Sequence, residues 1–165
     1  MTGTKWGDLG EYYPKKLFYI NGYFVSVGTY YYSYGYTAIF YSKDFKNWNY
    51  FQLISYKYGD AIYDNGKLHI VVSGGSSNTG LRIYSSSTPW DQNSYTNIVI
   101  RSTGKYTVGG IEKLNSGWMI NTSLASSYGP NILVATSLDG TWSEKRIYDT
   151  AAGVTDCLPW GHCAF

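Results

Sequence analysis

Apolar residues in this chain fall in short alternating runs broken by Asn, Asp, Gly and Ser, a period near two instead of the 3.6 of a helix. Leu17-Phe18-Tyr19-Ile20 leads into Asn21-Gly22 and then Tyr23-Phe24-Val25-Ser26-Val27-Gly28. Ala61-Ile62-Tyr63 leads into Asp64-Asn65-Gly66 and then Lys67-Leu68-His69-Ile70-Val71-Val72. Gly110 to Leu114 leads into Asn115-Ser116-Gly117 and then Trp118-Met119-Ile120-Asn121. Asn-Gly between apolar runs predicts a two-residue hairpin, because both residues accept the positive φ that the turn demands.

After each hairpin comes a polar loop and a third apolar run, over 37–41, 81–85 and 131–136. A Ser/Asp/Trp turn and a fourth strand follow. Ser137-Leu138-Asp139-Gly140-Thr141-Trp142 writes that turn most clearly, and Tyr41-Ser42-Lys43-Asp44-Phe45-Lys46-Asn47-Trp48 is a second copy. Tyr84-Ser85-Ser86-Ser87-Thr88-Pro89-Trp90 is a looser third copy without the Asp. From Asn21 to Trp48 is 27 positions, from Asn65 to Trp90 is 25 and from Asn115 to Trp142 is 27. Such a register predicts a repeat of four-stranded units, the pattern of β-propeller blades.

The expected fold is therefore all-β and propeller-like, one domain over 1–165. Its three four-stranded antiparallel blades run over about 17–55, 58–102 and 108–149. Strands over 4–12, with Trp6, and over 153–165, with Pro159-Trp160-Gly161, are expected to close it as part of a further blade. Three blades are fewer than propellers usually use. Open sheet edges invite pairing with other chains, so a homo-oligomer or a place among other surface subunits is expected.

Composition narrows the function. Aromatic residues make up 19% and charged residues 15%, with nineteen Tyr and nineteen Gly. A net charge of +2 without a Lys/Arg run lacks the electrostatic footprint of nucleic-acid binding. No run approaches a membrane span, and Met1 to Asp8 lacks the apolar core of a secretory leader. Cys157 and Cys163 read as a local disulfide or as two buried thiols. With His162 they make a poor metal set, since metal sites usually take four ligands. No cofactor is expected.

Tyr30, Tyr31, Tyr32, Tyr34 and Tyr36 crowd one loop, and Tyr128 lies in the equivalent loop of the third unit. Tyr with Gly and Ser suits recognition, because a rigid amphipathic ring gives contact area at small entropic cost. A flat ring with a hydroxyl also suits the apolar face and polar edge of a sugar. Packing on a neighbouring subunit is the other reading of these tyrosines.

The Ser-x-Asp-(Gly)-x-x-Trp turn resembles the Asp-box (BNR) repeat of sialidases. The strand, Asn-Gly, strand, loop, strand, Asp-turn layout is also similar to the blades of family 43-type glycoside hydrolases. Both resemblances span roughly Leu17 to Asp149. The first implies that Asp44, Trp48, Trp90, Asp139 and Trp142 hold turns and do not touch substrate. The second implies acidic residues on successive inner strands. The chain instead offers Tyr13-Pro14, then Asp60, then Val108-Gly109-Gly110, and Glu112 fits that position poorly. Glycoside hydrolysis normally needs two carboxylates in one pocket. Asp60 alone reads as a turn carboxylate at the start of its strand or as one acidic position. Arg82, Arg101 and Arg146 do not match the arginine triad that the sialidase resemblance implies.

A non-enzymatic structural or glycan-binding module is thus the leading expectation, with a glycoside hydrolase or sialidase-like enzyme as the alternative. The composition resembles that of phage tail, fibre or decoration proteins, which places the protein on a virion or outside the cell.

Overall fold

The computed structural model describes residues 12–30, 35–74, 80–124 and 130–146. They form three four-stranded sheets, each a simple antiparallel meander. Blade 1 holds β1 (Tyr12–Ile20), β2 (Tyr23–Tyr30), β3 (Tyr36–Ser42) and β4 (Asn49–Ile54). Blade 2 holds β5 (Lys57–Asp64), β6 (Lys67–Ser73), β7 (Leu81–Ser86) and β8 (Thr96–Arg101). Blade 3 holds β9 (Tyr106–Leu114), β10 (Gly117–Leu124), β11 (Pro130–Ala135) and β12 (Ser143–Arg146). The first strand begins at Tyr12 instead of Leu17. The expected closing segments, with Trp6, Cys157, His162 and Cys163, lie outside the described residues apart from Tyr12.

The hairpin turns follow their chemistry. Asn21 and Gly22 have φ of 48° and 83°, and Asn65 and Gly66 have 48° and 78°. Both positive values in each pair match a type I′ turn. The third hairpin turns through Asn115-Ser116, with Leu114 paired to Gly117. Positive φ moves there to Gly117, where a side chain would strike the Ala135 carbonyl.

One irregularity repeats in all three inner strands. The register shifts between Pro14 and Lys16, between Tyr58 and Asp60, and between Val108 and Gly110. Lys15, Gly59 and Gly109 are the extra residues, each six positions before the hairpin Asn. A bulge bends a strand and sharpens its twist. Sharing it brings Lys16, Asp60 and Gly110 to the same place in successive blades. The sequence expectation aligned Tyr13-Pro14 with Asp60, and the bulge corrects that alignment.

The core lies between blades. One cluster joins Ile20, Val25, Val27 and Ile39 of blade 1 to Ala61, Leu68, Ile70, Val72 and Tyr84 of blade 2. Another joins Val71, Leu81, Ile83 and Ile100 of blade 2 to Ile111, Trp118, Ile120, Leu133 and Trp142 of blade 3. Burying each large side chain is worth about 1.5–3 kcal/mol, so the sheets are stable only against one another. A third cluster, Ala38, Phe40 and Trp48 with Tyr12 and Phe24, lies on the face of blade 1 turned away from blade 2.

His69 is buried in the second interface, with Nδ1 2.8 Å from Ser85 Oγ and its ring edge-on to Trp118 at 5.4 Å. Burial, ahead of all other causes, lowers its pKa. The native state then holds the neutral ring while the unfolded chain protonates near pH 6.5. The stability tied to this group is complete above about pH 6.5 and is lost as pH falls towards the depressed folded value. Urea midpoints from pH 8 to pH 5 are expected to fall for the native chain and to fall less for His69→Gln. Equal slopes would remove His69 from this account.

Candidate functional site

The inner strands carry the best candidate for chemistry. Asp60 lies inside β5, just past the bulge, and not in a turn at the strand start. Its Oδ1 accepts from Lys16 Nζ of blade 1 at 3.1 Å. Its Oδ2 accepts from the Ile111 backbone N–H of blade 3 at 3.1 Å. One carboxylate therefore ties three inner strands together. A Cβ on Gly110 would meet Oδ2 at 3.6 Å, an ordinary van der Waals contact, so the approach does not depend on that glycine.

This arrangement is poor for acid/base work. The equivalent residues in the flanking blades are Lys16 and Gly110, so the repeat supplies one carboxylate where glycoside hydrolysis takes two. Glu112 is exposed and projects from the opposite face of β9 to Ile111. Tyr58 holds its hydroxyl 3.5 Å from Asp60 Oδ1, too long for a strong hydrogen bond. Burial first, and the Asp60 charge second, push its phenol far above the ordinary range. A nucleophilic Tyr needs the opposite shift. Arg82 sits over the Tyr56 ring at 5.3 Å, and Arg101 donates to the Ile100 and Trp142 carbonyls at 2.9 and 3.1 Å. Among the described residues no group of three His, Cys, Asp or Glu is placed to hold a metal.

The turn residues divide into three cases. Asp44 accepts from the Lys46 and Asn47 backbone N–H groups at 2.9 and 2.8 Å, and from Asn47 Nδ2 at 2.7 Å. Those bonds, led by the Asn47 backbone N–H, hold its carboxyl well below the usual range. Trp48 is buried, and its Nε1–H donates to the Phe45 carbonyl at 3.1 Å. Trp142 repeats this with the Leu138 carbonyl at 3.1 Å. Asp139 itself is exposed, and its turn closes by Gly140 N–H donating to the Ser137 carbonyl. Trp90 behaves differently. It is half-buried and stacks across blades on Tyr23 at 4.1 Å and 15°. Lys43 Nζ also lies over Tyr23, at 5.0 Å from its centroid.

Of the tyrosine loop, Tyr30 and Tyr36 are described. They pair across β2 and β3, and Tyr30 stacks on Tyr12 at 4.4 Å. Tyr31, Tyr32, Tyr34 and Tyr128 lie outside the described residues. Lys16, Tyr23 and Lys43 were not singled out in the sequence. Their partners are 44, 67 and 20 positions away, so no local pattern marks them.

No protein-family model matches the sequence, and no curated protein matches it. A solved structure does match: a mutant of Trypanosoma rangeli sialidase displaying trans-sialidase activity. The two superpose with a TM-score of 0.53 at 11% identity, over 87% of this chain and 33% of that one. The fold is sialidase-like. At that identity the likeness concerns the fold alone, and this chain spans about a third of the sialidase. Among the described residues this chain brings three four-stranded sheets to that likeness, and the Asp44 and Trp48 turn is where the Asp-box pattern is best kept.

Proposed function

We propose that this chain is a non-enzymatic recognition and assembly module built on sialidase-type blades, carried on a phage virion or another extracellular surface. The observation that carries the reading is the engagement of Asp60. Its two oxygens are held by an ammonium and a backbone N–H from neighbouring blades, which makes it a strut and not a poised acid or base. The low charge and the tyrosine-rich surface support contact with glycans or other subunits. In this reading Tyr30, Tyr31, Tyr32, Tyr34, Tyr36 and Tyr128 supply the glycan contacts.

The test is a panel of polysaccharides and sialosides, assayed for both hydrolysis and binding, with native protein and Asp60→Asn. Binding without hydrolysis is expected from both proteins. The variant is expected to lose about 1–2 kcal/mol of stability, a charge-assisted bond discounted for the half-exposed Lys16. Hydrolysis by the native chain that Asp60→Asn abolishes, with the fold intact, would establish the glycosidase reading instead.

A further inference from the structure

Arg82 carries a charge at a position that the other two blades bury. Ala38, Arg82 and Asn131 hold one register position, opposite Gly28, Val72 and Thr122. Each of those partners lies five residues past the closing residue of its hairpin, Tyr23, Lys67 or Gly117. Ala38 is 0% exposed and Asn131 4%. Arg82 is half-buried and shares with Tyr84 the face of β7 turned towards blade 1. Its Nε is sealed from solvent, and among the described residues no acceptor meets that N–H and no carboxylate pairs with the charge. Arg101 shows the contrast, since its guanidinium donates to two backbone carbonyls. Buried polar groups in native folds are nearly always satisfied, and a charge drawn away from water without a partner is costly.

The surroundings hold this guanidinium in place without neutralising it. It lies over the Tyr56 ring at 5.3 Å. Tyr12, Tyr56 and Tyr106 are the same residue of the repeat, each three before the bulge residue of its inner strand. In blade 1 that tyrosine packs on the cluster of Ala38, and in blade 2 it backs a cation. Tyr56 is itself fixed from blade 1, because its carbonyl accepts from the Thr37 N–H and from Thr37 Oγ1, both at 2.9 Å. Stacking on the ring orients the planar fork, so little ordering is left for a ligand to impose. With Nε sealed, the terminal nitrogens are the part that an outside group can reach. They present two parallel N–H donors, which a carboxylate or sulfate group matches with two bonds.

We infer that Arg82 is an oxyanion seat between blades 1 and 2, taking a carboxylate or sulfate group on a guanidinium backed by Tyr56. Asp60 faces blade 3 and takes no part in it. A free ion and an acidic group on a saccharide share this chemistry. Two charge-assisted bonds at a partly solvated site correspond to a dissociation constant on the order of 1 mM.

The test follows the Arg82 Nε–H resonance of the whole chain, identified by its loss in Arg82→Lys. Acetate, sulfate, glucuronate, glucose 6-sulfate and glucose are added separately at constant ionic strength. Saturable shifts are expected with the four anions and none with glucose. Calorimetry on Arg82→Met should show binding weakened at least tenfold. Without ligand that variant should melt no lower than the native chain, because the unpaired charge is gone and an aliphatic stem still covers Tyr56. Should Arg82→Met fail to fold, the titration of the native chain still decides. Sugar acids that bind tighter than acetate and sulfate would place the group on a saccharide, and equal binding would make the free ion the ligand. No shift with any anion up to about 100 mM, a hundred times the expected constant, overturns the inference. Anion binding that survives Arg82→Met overturns it as well. A lowered melting temperature in Arg82→Met, with no anion bound by the native chain, would make Arg82 a cover for Tyr56 and nothing more.

Discussion

Trp118→Ala is expected to cost about 3–5 kcal/mol, the range for truncating a buried aromatic. That corresponds to a fall of about 6–20 °C in melting temperature for a chain of this size. Trp118 is 4% exposed at the centre of the interface between blades 2 and 3. Its ring meets the His69 ring edge-on at 5.4 Å, and Lys113 Nζ caps it at 4.4 Å. Strands of two different sheets wall the site, and neither relaxes inward without breaking its ladder, so the cavity persists. The loss should itself depend on pH. Removing the indole lets water reach His69, so its pKa returns towards the ordinary value. The native protein loses stability between pH 8 and pH 5 through His69 and the variant does not, so the gap between them should narrow at pH 5. Melts at both pH values check this. A gap that is equal at the two would mean that other groups desolvate His69.

The β-hairpins and the order of strands are legible in the sequence because local chemistry decides them. Asn21-Gly22 and Asn65-Gly66 fold as read, since few other pairs accept positive φ at both positions. The third turn shows the limit of that logic. Asn115-Ser116-Gly117 has the same letters spread over one more residue, and the positive φ moves to the glycine. The Ser/Asp/Trp turn is legible where Asp44 has enough following residues to gather two backbone donors. Trp90 follows Pro89 and precedes a 3-10 turn, Gln92–Ser94, which Asp91 caps. Its indole instead stacks on Tyr23 of the preceding blade, a contact no single-blade pattern contains.

The candidate site was less legible, for a related reason. Asp60 is visible as an inner-strand carboxylate, but its role depends on Lys16 and on the Ile111 N–H, which the shared bulge aligns. A bulge leaves little trace in a hydrophobic pattern, because it adds one residue of any type. Lys15 at one copy and glycine at the other two illustrate this. Which positions correspond between blades becomes readable only once the blades are placed in register. Then Val27, Val71 and Asn121 appear as one column.

Gly59→Val is expected to cost about 3 kcal/mol, the upper part of the usual overpacking range. The bulge does not itself demand a glycine, since Lys15 occupies the same place in blade 1 with a full side chain. Nor does the backbone demand it, since Gly59 is not among the positive-φ glycines. What excludes a side chain is the neighbouring blade. A Cβ on Gly59 would lie 2.6 and 2.9 Å from the two Val108 methyl groups. Those distances are well inside van der Waals contact, and Val108 stands on β9, the strand that Asp60 anchors through the Ile111 N–H. The new side chain must therefore wedge β5 from β9, which also stretches the bond from Ile111 N–H to Asp60. Val108→Gly in the same chain should recover much of the loss, because it vacates the space without touching the bulge. Urea denaturation of the two single variants and the double variant gives the coupling directly. A coupling of about 1–3 kcal/mol is expected for residues in contact. Additive losses would mean that Gly59 is required by its own backbone and that the inner strands are not held as closely as drawn.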